Sequence, residues 1–294
     1  MANLRDVRLR MRAIRQTLQV TRAMNLISTS KLRKGRRVLE DTEPYFTRIH
    51  KSMYDILSSV DNVHSEYFRK PDPKKPSRTA IVVITSDKGL AGGYNANIIR
   101  QVNDLCDKTQ NPVLILIGTI GYRHFLHTPR IILENFSHHS QLPTVENAGE
   151  ISDFIISQFL SGMFNEIHVV YTHMYSTIKL LPTVTQILPL DAEKIEAELY
   201  SMGNVKRVEL QFEFIPSEEI LFDALVPLYI KGVIYGCMVE AYASEQSARM
   251  AAMDEASKSA EDMLAALQIN YNRARQAGIT QEMSEIIGGS SALS

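Results

Sequence analysis

The segment with the clearest chemical potential is SDKGLAGGYN, residues 86–95. It follows an apolar run typical of a buried strand and precedes a helical pattern, which is where phosphate-binding loops lie in α/β proteins. Its glycines are spaced G-x-x-G-G rather than G-x-G-x-x-G, and the chain contains no G-x-x-x-x-G-K-[ST] motif. The segment is therefore compatible with a nucleotide site, and also with close packing of a helix on a sheet.

No other residues form a recognisable reactive site. The chain has eight histidines, including the adjacent His138 and His139, but no H-x-x-x-H or C-x-x-C spacing that would indicate a metal site. Cys106 and Cys237 lie in apolar helical contexts, so we predict two buried thiols rather than a disulfide. There is no G-x-S-x-G motif and no recognisable pair of catalytic carboxylates. We expect no catalytic, metal-binding or cofactor-binding residues.

Composition bounds the class of protein. The chain has 294 residues, 45% of them hydrophobic, and a formal net charge of −1, which does not suggest uniform binding of nucleic acid. No apolar run reaches the roughly 18 to 20 residues of a membrane span, and no apolar segment follows the basic N-terminus as it would in a signal peptide. We expect a soluble protein.

The elements that must position any site begin with the C-terminal segment. Residues 244–277 contain no proline or glycine, and a seam recurs in them at steps of three and four, which is coiled-coil spacing. A helix of this length needs a partner to bury such a seam. The seam residues are Gln246, Met250, Met253, Ser257, Ala260, Leu264, Leu267, Tyr271 and Ala274.

The N-terminal residues 3–58 form a second long helical pattern that can supply this partner. Their seam follows the same spacing, and Pro44 is expected to kink or break the helix. Residues 1–37 hold eleven Lys and Arg against one acid, whereas residues 244–285 hold seven acids against four basic residues, so charge favours an antiparallel pair. The N-terminal seam residues are Leu4, Val7, Met11, Ile14, Leu18, Thr21, Asn25, Ser28 and Leu32.

Between these helices the pattern is that of an α/β domain with a mostly parallel sheet. After a linker at 70–79, strands are predicted at 80–85, 113–118, 130–134, 167–173, 183–188 and 208–215, with helices at 95–106, 122–126 and 148–160. A short helix is predicted at 218–225, and Pro227 is expected to open a separate final helix ending near Glu285. The predicted division is 1–69, 70–215 and 216–294, two terminal coiled-coil helices around an inserted domain.

Three motif blocks give this chain a resemblance to a known family. They are SEQSARM at 244–250 with YNRARQA at 271–277, TRAM at 21–24 with SKLRK at 30–34, and the loop at 86–95. The chain resembles the gamma subunits of F-type ATP synthases over essentially its whole length. The cysteine pair inserted in chloroplast members is missing from residues 190–208, so the resemblance is to the bacterial type.

The resemblance implies a fold and a function. The fold is an antiparallel coiled coil of the terminal helices with an inserted Rossmann-like α/β domain. The implied function is that of a non-catalytic rotor shaft, which couples ion flow to ATP synthesis or hydrolysis in the beta subunits. The implied partners are the ring of alpha and beta subunits, the epsilon subunit and the membrane c-ring, and the implied location is the cytoplasmic face of the cell membrane.

The resemblance also assigns contact residues. Arg275 and Gln276 match positions that contact the beta subunit's catch loop, and Ile286 and Ile287 would lie in an apolar sleeve of the ring. Met24 matches a methionine near an acidic loop of the beta subunits, and it can equally be a seam residue. Further matches to partner contacts are Lys31, Arg33, Lys34, Arg249, Thr280 and Glu282, and Phe212 and Phe214 fall near the foot on the membrane ring.

Two alternatives come from other function classes. The loop at 86–95 allows a nucleotide-dependent enzyme built on the central domain, which predicts binding of ATP or NAD. The basic N-terminal segment allows a nucleic-acid-binding scaffold, which predicts binding that falls steeply with salt. The near-zero net charge and the lack of interleaved aromatic residues argue against the second alternative.

Overall fold

The computed structural model describes residues 4–59, 65–69, 78–137, 140–177, 179–193, 195, 215 and 217–292. The chain divides into two compact units. The helix-pair unit contains the residues up to Thr29 and those from Arg249 onward, and the sheet unit contains residues 30–248. The division at 69 and 215 expected from the sequence stays a prediction.

The described residues form five α-helices and five strands. A single turn of 3-10 helix at Glu66–Phe68 lies between the first helix and the first strand. In chain order the elements are α1 (Leu4–Ser59), β1 (Thr79–Ile84), α2 (Tyr94–Lys108), β2 (Pro112–Ile117), α3 (Thr119–Phe125), β3 (Ile131–Phe136), α4 (Val145–Leu160), β4 (Glu166–Met174), β5 (Leu180–Leu188) and α5 (Glu218–Ala292).

The strands form one sheet in the order β3-β2-β1-β4-β5. The first four strands are parallel, with Val82 of β1 opposite both Ile115 and Val169, and β5 pairs antiparallel with β4. The chain leaves β1 toward β2 and β3 and then returns through α4 to β4 on the other side of β1. This order confirms the predicted Rossmann-like sheet, which is parallel except for the β4–β5 hairpin.

Both faces of the sheet are covered, which explains why β1 is an uninterrupted apolar run. Successive side chains point to opposite faces, so Val82 and Ile84 pack on one core and Ile81 and Val83 on another. Helices α2 and α3 cover the second face. The first face is covered by α4, by the C-terminal part of α1 and by the N-terminal part of α5, with Ile155, Met53, Phe222, Val226 and Ile230 among the core residues.

The helix start predicted at Pro227 was wrong, and Pro44 does not break α1, so only a kink at Pro44 stays a prediction. Pro44 lies inside α1, which is unbroken, and Pro227 lies inside α5, which begins at Glu218 and ends at Ala292 rather than near Glu285. A proline inside a helix costs about 3 kcal/mol. Burial of a large apolar side chain contributes about 1.5–3 kcal/mol, so the buried residues around each proline offset that cost.

One helix in the described part of the chain is apolar and long enough to pass a composition test for a membrane span, and it is α5. The sequence predicted no membrane span. Phe222, Val226, Ile230 and Ile234 of this region are buried in the sheet core, which accounts for part of its apolar character. The predicted strand at 208–215 lies outside the described residues except for Ile215, as does most of the predicted linker at 70–79.

Candidate functional sites

The helix-pair unit confirms the predicted antiparallel seam. Val7, Met11 and Ser28 of α1 and Met253 and Ala260 of α5 are buried. The remaining predicted seam positions of this unit are buried or half-buried, and the residues between them are mostly exposed. The three-and-four spacing in the sequence therefore identified the contact face of each helix correctly.

Hydrogen bonds across the seam fix its register. The hydroxyl groups of Thr21 and Ser257 lie 2.8 Å apart, and the Asn25 amide donates to the Met250 carbonyl at 3.1 Å. On the solvent side, the Arg8 guanidinium donates to the Tyr271 hydroxyl at 2.7 Å. As the residue number rises along α1 it falls along α5, which is the antiparallel order. Small and polar seam residues thus contribute directional bonds that an all-leucine seam would lack.

Thr21→Val is expected to reduce the free energy of unfolding by about 1 kcal/mol, because it removes a buried hydrogen bond while keeping the side-chain shape. Ser257→Ala is expected to have a similar effect. The double variant should lose less than the sum of the two, since the second change removes a group that is already unpaired across the seam. Urea unfolding of the full chain measures all three. Thr17→Val is the control, because Thr17 is exposed and its hydroxyl donates to the Ala13 carbonyl of its own helix. Additive losses from the two seam variants would contradict the pairing.

The last turns of α5 extend beyond this seam. From Arg275 to Ser284, and at Ile286 and Ile287, every residue is exposed. Large apolar side chains recur here at helical spacing, with Ile279, Met283 and Ile286 exposed by 49%, 55% and 72%. Such a stripe is unusual on a solvent-facing helix and is typical of a surface that contacts a partner.

The structure places most of the predicted contact residues on the helix surface. Arg275, Gln276, Thr280 and Glu282 flank the apolar stripe of α5, and the Thr280 hydroxyl donates to the Gln276 carbonyl at 2.9 Å. On α1, Lys31, Arg33 and Lys34 are exposed and Met24 is half-buried beside the seam.

The structure does not place the other predicted residues on an exposed surface. Arg249 is only 6% exposed, so little of its side chain is available to a partner. Phe212 and Phe214 lie outside the described residues, and so do His138 and His139.

Polar groups of the loop at 86–95 bond within the sheet unit. The Ser86 amide donates to the Asn95 side chain at 3.0 Å, and the Ser86 hydroxyl donates to the Lys88 carbonyl at 2.8 Å. The Asp87 carboxylate accepts hydrogen bonds from the Thr119 amide and hydroxyl, both at 2.9 Å. These bonds tie the loop that follows β1 to the start of α3, so the loop serves packing.

The crevice where nucleotides bind in such sheets is filled by this chain itself. Ligands of open α/β sheets bind beyond the carboxyl ends of the strands, where the strand order reverses. Here the Ser244 hydroxyl donates to the Thr172 carbonyl of β4, and the Tyr94 hydroxyl donates to the Ala241 carbonyl of α5. The cavity left between Thr85, Tyr94 and α5 is about 10 Å³, room for one water at most. The enzyme alternative therefore has no space for a nucleotide at this edge.

Tyr94→Phe is expected to lower the free energy of unfolding by about 1–2 kcal/mol, because it leaves the buried Ala241 carbonyl without this donor. Tyr175→Phe is the matched control, since Tyr175 is 59% exposed and its hydroxyl can be solvated in either state. Thermal unfolding of the full chain compares the two. An equal effect of both changes would show that the bond to α5 contributes nothing to the docking of the helix.

Sequence reasoning missed these docking residues. Ser244 and Ser247 are fully buried, and the Ser247 hydroxyl donates to the Thr177 carbonyl at 2.9 Å. A signal was present, since YASEQSA at 242–248 is rich in small residues that let a helix approach a sheet closely. The prediction of two buried free thiols at Cys106 and Cys237 is confirmed, and burial raises the pKa of the Cys106 thiol.

The chain matches one sequence family over nearly its whole length. The model of that family, described as ATP synthase, matches residues 3–293. A protein of Acetivibrio thermocellus named ATP synthase gamma chain is 41% identical over 294 residues, which cover all of both chains. A protein of Acetobacterium woodii named ATP synthase gamma chain, sodium ion specific, is 35% identical and covers 99% of both chains.

Solved structures agree in fold. A chain from the Euglena gracilis mitochondrial ATP synthase, in a structure of its OSCP, F1 and c-ring, has a TM-score of 0.66 and 13% identity, and the match covers 99% of this chain and 94% of that one. A chain from the central stalk and c-ring of the Tetrahymena thermophila mitochondrial enzyme has a TM-score of 0.60 and 24% identity, and covers 81% of this chain and 99% of that one.

Proposed function

This chain belongs to the family of ATP synthase gamma chains, and we propose that its helix-pair unit is the part of the rotor shaft that the alpha and beta subunits surround. The gamma chain is the non-catalytic rotary shaft of the complex, and catalysis occurs in the beta subunits. Rotation of the shaft couples ion flow to the synthesis or hydrolysis of ATP. The closed crevice of the sheet agrees with a role that needs no nucleotide site in this chain.

The observation that carries the proposal is the change along α5 from a paired to an exposed helix. Up to Ala274 its seam residues are buried or half-buried, and from Arg275 onward its described side chains are exposed. Paired helices resist bending and twisting better than one helix. The exposed apolar stripe of Ile279, Met283 and Ile286 suits an apolar sleeve made by the ring subunits.

We assign two contact surfaces to the ring. Arg275, Gln276, Thr280 and Glu282 border the apolar stripe and offer hydrogen bonds to the catch loop of a beta subunit. Lys31, Arg33 and Lys34 are exposed cations that suit an acidic loop, with Met24 as an apolar contact next to the seam. The buried Arg249 has a role inside this chain rather than in either surface.

The remaining partners follow from the shaft role. The gamma chain is part of a membrane-associated complex. We place this chain at the cytoplasmic face of the cell membrane, in contact with the epsilon subunit and the c-ring.

Co-expression tests the proposal. The chain is produced with the alpha and beta subunits of its own complex, and the assembly is purified through a tag on beta. We expect this chain to co-purify in a complex that hydrolyses ATP. An ATP-hydrolysing complex that lacks the chain would contradict the shaft assignment. Titration of the isolated full chain with ATP tests the enzyme alternative. That alternative requires this chain to bind ATP by itself, and the shaft assignment does not.

A further inference from the structure

Two contacts between α1 and α5 in the sheet unit share an unusual geometry. In the first, the ring of Phe46 from α1 lies over Gly232 of α5. A Cβ atom added to Gly232 would lie 2.4 Å from Cδ1 of Phe46, far inside van der Waals contact. The ring of Phe46 also packs against Tyr235, with 5.6 Å between the ring centroids. The ring is therefore held in place and occupies the space that any larger residue at 232 would need.

In the second contact the two helices exchange roles. Here α1 supplies the glycine and α5 the ring, because a Cβ atom added to Gly35 would lie 3.0 Å from Cδ1 of Tyr242. Tyr242 is 4% exposed, and Gly35 is the only glycine in α1. The two contacts are eleven residues apart on α1 and ten on α5, about three helical turns in each. Each helix thus has one ring and one glycine, facing their counterparts on an antiparallel neighbour.

We propose that these two ring-on-glycine contacts, which we call the notches, fix the axial register of the helices in the shaft. Sliding one helix by a single residue moves it about 1.5 Å along its axis. The open space at Gly232 would then move out from under the ring of Phe46, and the ring would approach the side chains that border Gly232 on α5. Because ring and glycine alternate between the helices, a slip meets a side chain at both notches.

The notches matter for a shaft that transmits torque, and this step rests on the proposed function. Twisting two joined helices about a common axis tends to slide one along the other. In the sheet unit, the apolar contacts between α1 and α5 resist this sliding weakly, since they are non-directional. Phe46, Tyr242, Gly35 and Gly232 are then positioning residues, which keep the shaft surface in one arrangement while it turns.

A covalent lock tests the register directly. Phe46→Cys with Gly232→Cys, in a chain whose Cys106 and Cys237 are replaced by alanine, brings the two Cβ atoms near the separation of a disulfide, about 3.5–4.5 Å. We expect the disulfide to form under mild oxidation in the isolated full chain. In the reconstituted holoenzyme, coupled ATP synthesis should be higher with the bond oxidised than reduced, because the bond restores the register that the removed ring supplied. Failure of the bond to form in the folded chain would overturn the proposal. So would a loss of synthesis on oxidation that a reductant reverses.

Alanine variants supply the second test, with a control on the same helix. Gly232→Ala is expected to lower the Tm by about 5 °C through overpacking, and to lower the ratio of ion pumping to ATP hydrolysis. Gly236→Ala lies one turn away with no atom within 4 Å of its added Cβ, so neither quantity should fall. Adding Phe46→Leu to Gly232→Ala should recover part of the coupling ratio. Equal behaviour of Gly232→Ala and Gly236→Ala would overturn the proposal.

The two proposals can fail separately. The disulfide and the Tm values of the isolated chain test the notches without any partner. If the chain does not assemble with the alpha and beta subunits, the shaft assignment fails whatever the register shows. If the chain assembles but the oxidised disulfide stops rotation, the shaft assignment stands and the proposal that the notches fix the register fails.

Discussion

Gly118→Ala is expected to reduce the free energy of unfolding by about 4 kcal/mol or more, enough to prevent folding of the sheet unit at growth temperature. Gly118 has φ of +95°, and an added Cβ would lie 2.2 Å from the Thr85 carbonyl oxygen. The obstacle is backbone, so it cannot rotate away as a side chain can. Urea unfolding of the full chain, or its soluble yield, measures the effect.

Thr85 cannot shift to make room, because it is bonded on several sides. Its amide donates to the Ile117 carbonyl at 2.8 Å, its hydroxyl donates to the same carbonyl at 3.1 Å, and the Gly121 amide donates to that hydroxyl at 3.0 Å. These bonds join the ends of β1 and β2 to the start of α3.

Two other glycines separate the causes of this loss. Gly162 has φ of +78° with no atom within 4 Å of an added Cβ, so Gly162→Ala should cost about 1–2 kcal/mol from backbone strain alone. Gly89 has no positive φ and no atom lies within 4 Å of an added Cβ, so Gly89→Ala should stay within about 0.5 kcal/mol of the parent. If Gly118→Ala lowered the free energy of unfolding no more than Gly162→Ala does, the close approach of the Thr85 carbonyl would not contribute to the loss.

The sequence predicted those parts of the fold that depend on local periodicity. The seam positions of α1 and α5 follow from spacing alone, because each helix must bury one stripe whatever its partner. The sheet followed from apolar runs alternating with helical patterns. Pro227 misled the prediction because a local helix penalty was weighed without the burial of Phe222, Val226 and Ile230, which only the tertiary structure supplies.

The state of the crevice could not be predicted in the same way. The loop at 86–95 has a composition that suits a phosphate site, and only a contact between Tyr94 and Ala241, 147 residues apart, shows that a helix fills the space. The two notches are non-local for the same reason. A glycine inside a helical pattern weakens it by about 1 kcal/mol, and the sequence does not show which ring takes the vacant space.

Arg275→Ala with Gln276→Ala is expected to lower coupled ATP synthesis by about tenfold while leaving the stability of the chain nearly unchanged. Both side chains are exposed, so their removal creates no cavity within this chain. A hydrogen bond to a charged group contributes about 1.5–3 kcal/mol, and a loss of 1.4 kcal/mol corresponds to a factor of ten. The measurement is the rate of ATP synthesis by the reconstituted holoenzyme, with thermal unfolding of the chain as the companion measurement.

Gln281→Ala is the matched control for position. Gln281 is exposed on the same helix, two residues after Ile279, and two residues turn an α-helix by about 200°. It therefore faces away from the apolar stripe of Ile279 and Met283 and from the residues that flank the stripe. If the catch-loop assignment is correct, Gln281→Ala synthesises ATP at nearly the parent rate. Unchanged synthesis and hydrolysis in the Arg275 and Gln276 double variant would remove both residues from the contact and leave the apolar stripe as the main surface by which the ring holds this part of the shaft.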